Sequence, residues 1–498
     1  MNAFMNGLTN ATNFTYTENG ALTHKSTTSD LLDMYALGGA YRSRSDEDVI
    51  LLFKKAYAEN PVYALKCLFY LRDVRGGQGE RRFFRVCLKW AAKNHTDAVL
   101  RNLRHIPEFG RWDDLYVLVG TPLEAAAFNF IKEQLALDVQ CKTPSLLAKW
   151  LKSENASSKE TRILGAKTRV ALGMNHKQYR KTLSILRERI NILERLMSEN
   201  RWDEIEFDKI PSRAGMIYRN AFARHDLERM KSDRPVQLYS EFAQDETKTV
   251  NAKTLYPYEC VKEALSCSLR NNDTQRAIIN KYWNNLADYF NGANLSALCV
   301  VDTSGSMFWN GGLPAQVAIS LGMYCAEKNS GPFAGHFMTF SDSPAFVKFE
   351  GVDFVHKCHN MQNVDWAGST NIEAAFDLML NTAIANKCSA DDLPKNLVVI
   401  SDMEFNACVT TNSSYHRGMP ETLFESMARK WANAGYEMPH LIFWNVDARQ
   451  NNIPMLGNGP VSYVSGFSPV IFETVMSGKT GYDLMMEKLD SSRYECIQ

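Results

Sequence analysis

Three short stretches in the second half of the chain place oxygen-bearing side chains where they could hold a hard cation. Asp302-Thr-Ser-Gly-Ser306 follows a continuous apolar run, Leu295–Val301, and sets one carboxylate and two hydroxyls at alternate positions of a tight loop. Gly368-Ser-Thr370 opens a helical stretch and offers the Thr370 hydroxyl, and Val398-Val-Ile-Ser-Asp402 ends a second apolar run on a carboxylate. Hard oxygen donors suit Mg²⁺, Mn²⁺ or Ca²⁺ rather than zinc. Each segment falls at the C-terminal end of an expected strand or the start of an expected helix, which is where open α/β sheets bind ligands. Asp302 alone, or Asp402 alone, would read as a helix N-cap. Taken in this order, Asp302, Ser304, Ser306, Thr370 and Asp402 read as one divalent-metal site.

A second kind of chemistry lies in the first half. From Lys66 to Arg111 there are 11 Lys and Arg against 4 Asp and Glu, centred on Arg72-Asp-Val-Arg75-Gly-Gly-Gln-Gly79-Glu-Arg81-Arg82-Phe-Phe-Arg85. A glycine-rich turn flanked by arginines can offer backbone N–H groups and guanidinium forks to phosphates. The Gly-Lys-Ser/Thr ending of a Walker loop is missing. The same residues also suit an ordinary helix–helix turn with ion-paired arginines, and both readings of Arg72 and Arg75 stay open. Phe83 and Phe84 read as core. A second basic stretch, Lys159 to Arg229, has 16 Lys and Arg against 10 Asp and Glu. There Lys177, Arg180, Lys181, Arg187 and Arg189 flank the apolar stripe Leu183, Leu186, Ile190 and Leu193. That face is either a solvated surface or a phosphate track.

The elements that must position these groups divide the chain. Residues 1–45 are rich in Thr, Asn and Ser and read as a loose arm with a short helix near Asp30–Ala36. From 46 to about 290, apolar residues recur at three- and four-residue spacings, as in Asp48–Ala58, Pro61–Asp73, Glu80–Asn94 and Lys177–Ser198, which predicts successive antiparallel helices. Arg111-Trp-Asp-Asp-Leu115 is echoed by Arg201-Trp-Asp-Glu-Ile205, each expected to open a helix with acids at its positive end. From 291 onward, strands and helices alternate, which predicts a mainly parallel sheet covered on both faces.

The bulk composition narrows the classes. Net charge is zero over 498 residues, yet residues 291–498 hold 12 Lys and Arg against 21 Asp and Glu, so the first 290 carry +9 and the rest −9. That split fits a polyanion-binding module joined to a second unit, and equally a helical array with mild charge excess. No apolar run reaches the roughly 18–20 residues that span a bilayer. The start of the chain lacks a secretion-signal layout. The 11 scattered cysteines include no CxxC pair, so a reducing, cytoplasmic setting is expected.

The stretches VVDTSGSM, WAGSTNIEAAFD and VVISDMEF resemble the metal-ion-dependent adhesion site of von Willebrand factor A domains. That resemblance implies a Rossmann-like domain in which the first Asp, both Ser and the Thr contact the ion and the later Asp acts through water, leaving a position for an acidic group of a partner. Glu404 has no fixed part in it and reads as a loop residue. Arg72–Arg82, Tyr179–Trp202 and Leu295–Phe405 together resemble a family that joins an RDVRGGxGER-type segment to a C-terminal A domain. Domain order, and Tyr256-Pro-Tyr258 before the strand into Asp302, also resemble the Ro/TROVE group. There a ring of HEAT-like helices, carrying RNA, precedes a similar A domain.

The expected architecture is therefore an arm (1–45), an all-α HEAT-like array (46–290) that could close into a ring, and an A-type α/β domain (291–498). The expected function is non-enzymatic binding of small structured or misfolded RNA, with Arg72, Arg75, Arg81, Arg82, Lys177, Arg180, Lys181 and Arg187 as candidate contacts. A protein partner would offer an acidic residue to the metal, and no membrane is involved. The competing expectation is a metal-dependent protein-binding scaffold without RNA. Neither HExxH, GxSxG nor a usable Cys/His pair supports catalysis.

Overall fold

The computed structural model describes residues 12–266, 272–290, 296–340, 343–361, 371–406, 422–456, 461–475 and 479–498. Several helix starts in the first half are set by side-chain caps. Ser45 accepts from the N–H of Asp48 to start Asp46–Glu59, whose first turn holds Asp46, Glu47 and Asp48. Asn60 caps Pro61–Arg72 in the same way, with proline at the first turn, where its missing N–H costs nothing. One face of each helix is buried: Val49, Leu52, Phe53 and Ala56 in the first, and Phe83, Phe84, Cys87, Leu88, Ala91 and Ala92 in Arg81–Asn94. Among the described residues from 46 to 290 there is no strand.

One expected helix is two. Lys177–Ser198 divides into His176–Arg189 and Leu193–Ser198, because Asn191 adopts a left-handed backbone at φ 47° and ends the first run. Both Arg-Trp-Asp copies open 3₁₀ turns, Trp112–Leu118 and Trp202–Glu204.

Residues 12–45, expected to belong to a loose arm, are ordered against the rest of the chain. A hairpin of β1 (Phe14–Tyr16) and β2 (Leu22–His24) lies against the second half, with His24 and Ile453 exchanging backbone hydrogen bonds of 3.0 Å. The helix Asp30–Leu37 is almost wholly buried. The Thr, Ser and Asn side chains that gave the segment its loop-like composition serve as bonding partners instead: Thr17 Oγ1 donates to Phe405 O at 2.6 Å, Thr23 Oγ1 to Ile453 O at 2.9 Å, and Ser43 Oγ to Asp447 at 2.8 Å.

The second half holds a six-stranded sheet built from β3 (Ala297–Asp302), β4 (His336–Phe340), β5 (Phe346–Lys348), β6 (Asn396–Ser401), β7 (His440–Asn445) and β8 (Val461–Ser465). Its order is β5-β4-β3-β6-β7-β8, parallel except for the antiparallel edge strand β5. Every residue of β3 and β6 is buried, as expected of central strands covered by helices on both faces. The order reverses between β3 and β6. Their carboxyl ends form the crevice where open α/β sheets take ligands. The expected boundary at Asn291 lies outside the described residues. At the far end of the chain, Gly481–Leu489 and the tail after it return to the helical half, where Gln498 N donates to Asn102 Oδ1 at 2.9 Å. Both halves thus share one hydrophobic core.

Candidate functional site

Asp302 is the last residue of β3, and Asp402 directly follows β6, the strand paired with it. Both are buried, at 0% and 2% exposure. The loop after β3 folds so that Ser304 N donates to Asp302 Oδ1 at 2.9 Å, and the Ser304 and Ser306 hydroxyls lie 3.0 Å apart. Ser401 Oγ donates to Asp302 Oδ2 at 2.5 Å. Asp302, Ser304, Ser306 and Asp402 are therefore brought to one rim of the sheet. Thr370 lies outside the described residues; the helix it was expected to open runs Ile372–Asn386, capped by Asn371.

Burial, with Asp402 close by, pushes the Asp302 carboxyl up to about 7. The donor set is two carboxylates and two hydroxyls, all hard oxygens. Among the described residues no group of three or more His, Cys, Asp or Glu could hold a metal.

Two neighbours were not legible as site residues. Glu404, expected to be a loop residue, is completely buried. Its Oε2 accepts from Glu18 N at 2.7 Å, and burial raises its carboxyl to about 7 against the pull of that bond. Arg449, in the loop after β7, places Nη2 2.9 Å from Asp402 Oδ2. The offset of two residues from Asp402 could have flagged Glu404; no local pattern points to Arg449, which arrives through sheet topology.

The arginine-rich turn does other work. Arg72 is 2% exposed and ion-pairs with the buried Asp114 at 2.7 Å, so it cannot meet a phosphate. Asp114 also receives Arg85 Nε at 2.6 Å. The glycines let the turn close on itself, since a Cβ on Gly77 would sit 2.0 Å from Tyr70 O. Arg82 bonds to Asp46 and to Tyr41 O. Arg75 is exposed and donates to Glu108 O at 2.9 Å, and Arg81 is exposed. Phe83 and Phe84 are core, as expected.

The second basic stretch shapes a groove of about 840 Å³, lined among others by Lys149, Lys177, Arg180, Arg187 and Arg195. Arg187 is tied down by bonds to Ala148 O, Leu151 O and Ser153 Oγ at 2.9–3.1 Å, and so builds the wall. Lys177, Arg180 and Lys181 are exposed, and among the described residues no carboxylate pairs with them. No helix among the described residues is long and apolar enough to cross a membrane.

Two families match in tandem: one described as Domain of unknown function (DUF2828) over residues 17–162 and 134–293, and one described as Domain of unknown function (DUF7788) over 296–495. Uncharacterized protein L728 of Acanthamoeba polyphaga mimivirus is 32% identical over 508 residues, covering 94% of this chain and 85% of that protein. Among solved structures, the crystal structure of Deinococcus radiodurans RO (RSR) protein aligns with 93% of this chain and 96% of its own, at 15% identity and a TM-score of 0.36. The matches at 17–293, with the viral relative along nearly the full length, place this chain in the DUF2828 family.

Proposed function

We propose that this chain is a non-enzymatic binding protein: its α/β half holds a divalent cation at the ends of β3 and β6, and its helical half holds RNA. The observation that carries the reading is the convergence of Asp302, Ser304, Ser306 and Asp402 at the topological switch of the sheet. Two buried carboxylates there repel each other, and a hard cation relieves that repulsion. The likeness of these residues to the adhesion site of von Willebrand A domains supports the same ion, Mg²⁺, Mn²⁺ or Ca²⁺. When bound, the ion supplies an electrophilic contact for an acidic side chain of a partner. Asp302 and Ser304 are held by hydrogen bonds that orient their oxygen atoms in advance.

The RNA part rests on Lys177, Arg180 and Lys181, which have no carboxylate partner among the described residues; Lys177 and Arg180 line a groove in the half that carries the positive charge. It rests also on the likeness of domain order to the Ro/TROVE group. Filter binding of a small structured RNA at graded salt tests it. Phosphate contacts make log K fall steeply with log salt, so salt-insensitive or absent binding removes RNA. The competing reading, a metal-dependent protein scaffold without RNA, is favoured if a copurifying protein is lost on Asp302→Ala while no RNA is bound.

A further inference from the structure

The guanidinium of Arg449 joins the cluster to a distant part of the chain. Its Nη2 donates to Asp402 Oδ2 at 2.9 Å and its Nη1 to Glu18 Oε2 at 2.5 Å. Glu18 belongs to the turn between β1 and β2, so one side chain spans the end of a central strand and the N-terminal hairpin. The residue is held from behind, because Arg44 Nη1 donates to the Arg449 carbonyl at 2.6 Å. The side chain is 22% exposed.

The two carboxylates of the cluster are thereby unlike. Asp302 is bonded to the Ser304 N–H and the Ser401 hydroxyl, neutral donors that can share a carboxylate with a cation. Asp402 gives Oδ1 to Glu404 N at 3.2 Å and Oδ2 to a full positive charge. Among the described residues, Arg449 is the one cation bonded to any of Asp302, Asp402, Glu404 or Asp447. Whatever else draws on Asp402 Oδ2 must share it with this guanidinium or displace it. Displacement would leave Arg449 to Glu18 and the hairpin turn, where Glu18 N and Asn19 Nδ2 also bond to Glu404.

We infer that Arg449 is a built-in counter-cation that competes with a divalent ion for Asp402 and couples occupancy of the cluster to the N-terminal hairpin. The inference rests on the cation reading above. It makes Arg449 a positioning residue that sets affinity, and Glu18 the weight that draws Arg449 away from Asp402.

The test is calorimetric Mn²⁺ titration of the full chain and three variants. Arg449→Gln removes the competitor, and Mn²⁺ binds roughly threefold tighter, the scale of one partly exposed ion pair. Glu18→Gln leaves Arg449 to Asp402 alone, and binding weakens by about twofold on the same scale. Arg449→Lys keeps the charge and stays within about twofold of the parent chain. Amide exchange of residues 14–24 in the parent chain also changes on Mn²⁺ addition. Opposite shifts for Arg449→Gln and Glu18→Gln are the signature, since a merely structural role would move both in the same direction. Equal or weaker Mn²⁺ binding by Arg449→Gln overturns the competition. Should Arg449→Gln not fold, unchanged or tighter binding by Glu18→Gln overturns it. Mn²⁺ binding absent from every protein overturns the cation reading and this inference together, whereas intact, equal binding in all overturns this inference alone.

Discussion

Asp73, in the glycine-rich turn, is clamped by Arg493, near the end of the chain. Arg493 Nη2 donates to Asp73 Oδ1 at 2.6 Å, its Nε bonds to Oδ2, and the Tyr494 hydroxyl donates to the same oxygen at 3.0 Å. Asp73 is fully buried. The glycine-rich turn is thus a socket for the C-terminal tail, and Arg72 at its base is committed to Asp114.

Arg493→Ala is expected to destabilise the chain by about 3 kcal/mol at neutral pH. That is the lower end for breaking a buried pair, because Arg493 is one-third exposed. Burial opposes ionisation of Asp73, but the Arg493 bonds and charge, together with the backbone N–H groups of Arg75 and Gly76, hold the carboxyl below its ordinary 3.8. A depressed carboxylate contributes stability that is present above the unfolded value and lost as pH falls through the folded one. The gap between parent and Arg493→Ala in urea melts should therefore persist from about pH 7 to 5 and close below about pH 3.8. A gap that stays constant into acid would remove Asp73 as the cause.

Arg72→Ala separates packing from binding. It leaves the buried Asp114 carboxylate with the Arg111 N–H and, among the described residues, Arg85 as its one cation, at a cost of roughly 3–5 kcal/mol. The folded fraction should bind RNA as the parent does, because Arg72 never reaches solvent. An RNA affinity that drops with Arg72→Ala in fully folded protein would restore the phosphate reading.

The architecture was legible because its causes are local. Apolar residues at three- and four-residue spacings announce the helices Asp46–Glu59 and Pro61–Arg72, and Leu397-Val-Val-Ile400 announces a central strand. Asp302, Ser304 and Ser306 were legible because a short loop holds all three. What stayed hidden depends on interactions between remote segments. Thr17, Glu18 and Thr23 look like tail residues until residues 404–453 supply their partners. Arg72 looks exposed until Asp114, 42 residues on, buries it. Charge counting registers how many arginines there are but not which of them already have a carboxylate or carbonyl partner, and so it could not separate Arg72 and Arg187 from Lys177 and Arg180.

Lys177→Glu with Arg180→Glu should weaken RNA binding and flatten its salt dependence, by about one unit of slope for each phosphate no longer neutralised. Melting should hardly move, since neither side chain has a carboxylate to give up among the described residues. Arg187→Ala should do the reverse, loosening the groove wall by removing three hydrogen bonds and lowering stability first. An unchanged salt slope in the double variant would place RNA elsewhere on the molecule.

Asp302→Asn tests the cation site by splitting stability from ligand response. Asp302 and Asp402 are both buried and sit at the ends of paired strands, so neutralising one removes a like-charge repulsion. The variant is expected to melt no lower than the parent when chelator is present. With Mn²⁺ at about 100 times its dissociation constant, the parent gains about 2.7 kcal/mol, because the ion binds only the folded form. Asp302→Asn gains none of it, and Ser304→Ala only part, since a single neutral donor is removed. The order of melting temperatures should therefore invert between chelator and Mn²⁺. A parent chain that ignores Mn²⁺, or a variant that responds equally, would mean that the strand-end carboxylates serve only the packing of the loop after β3.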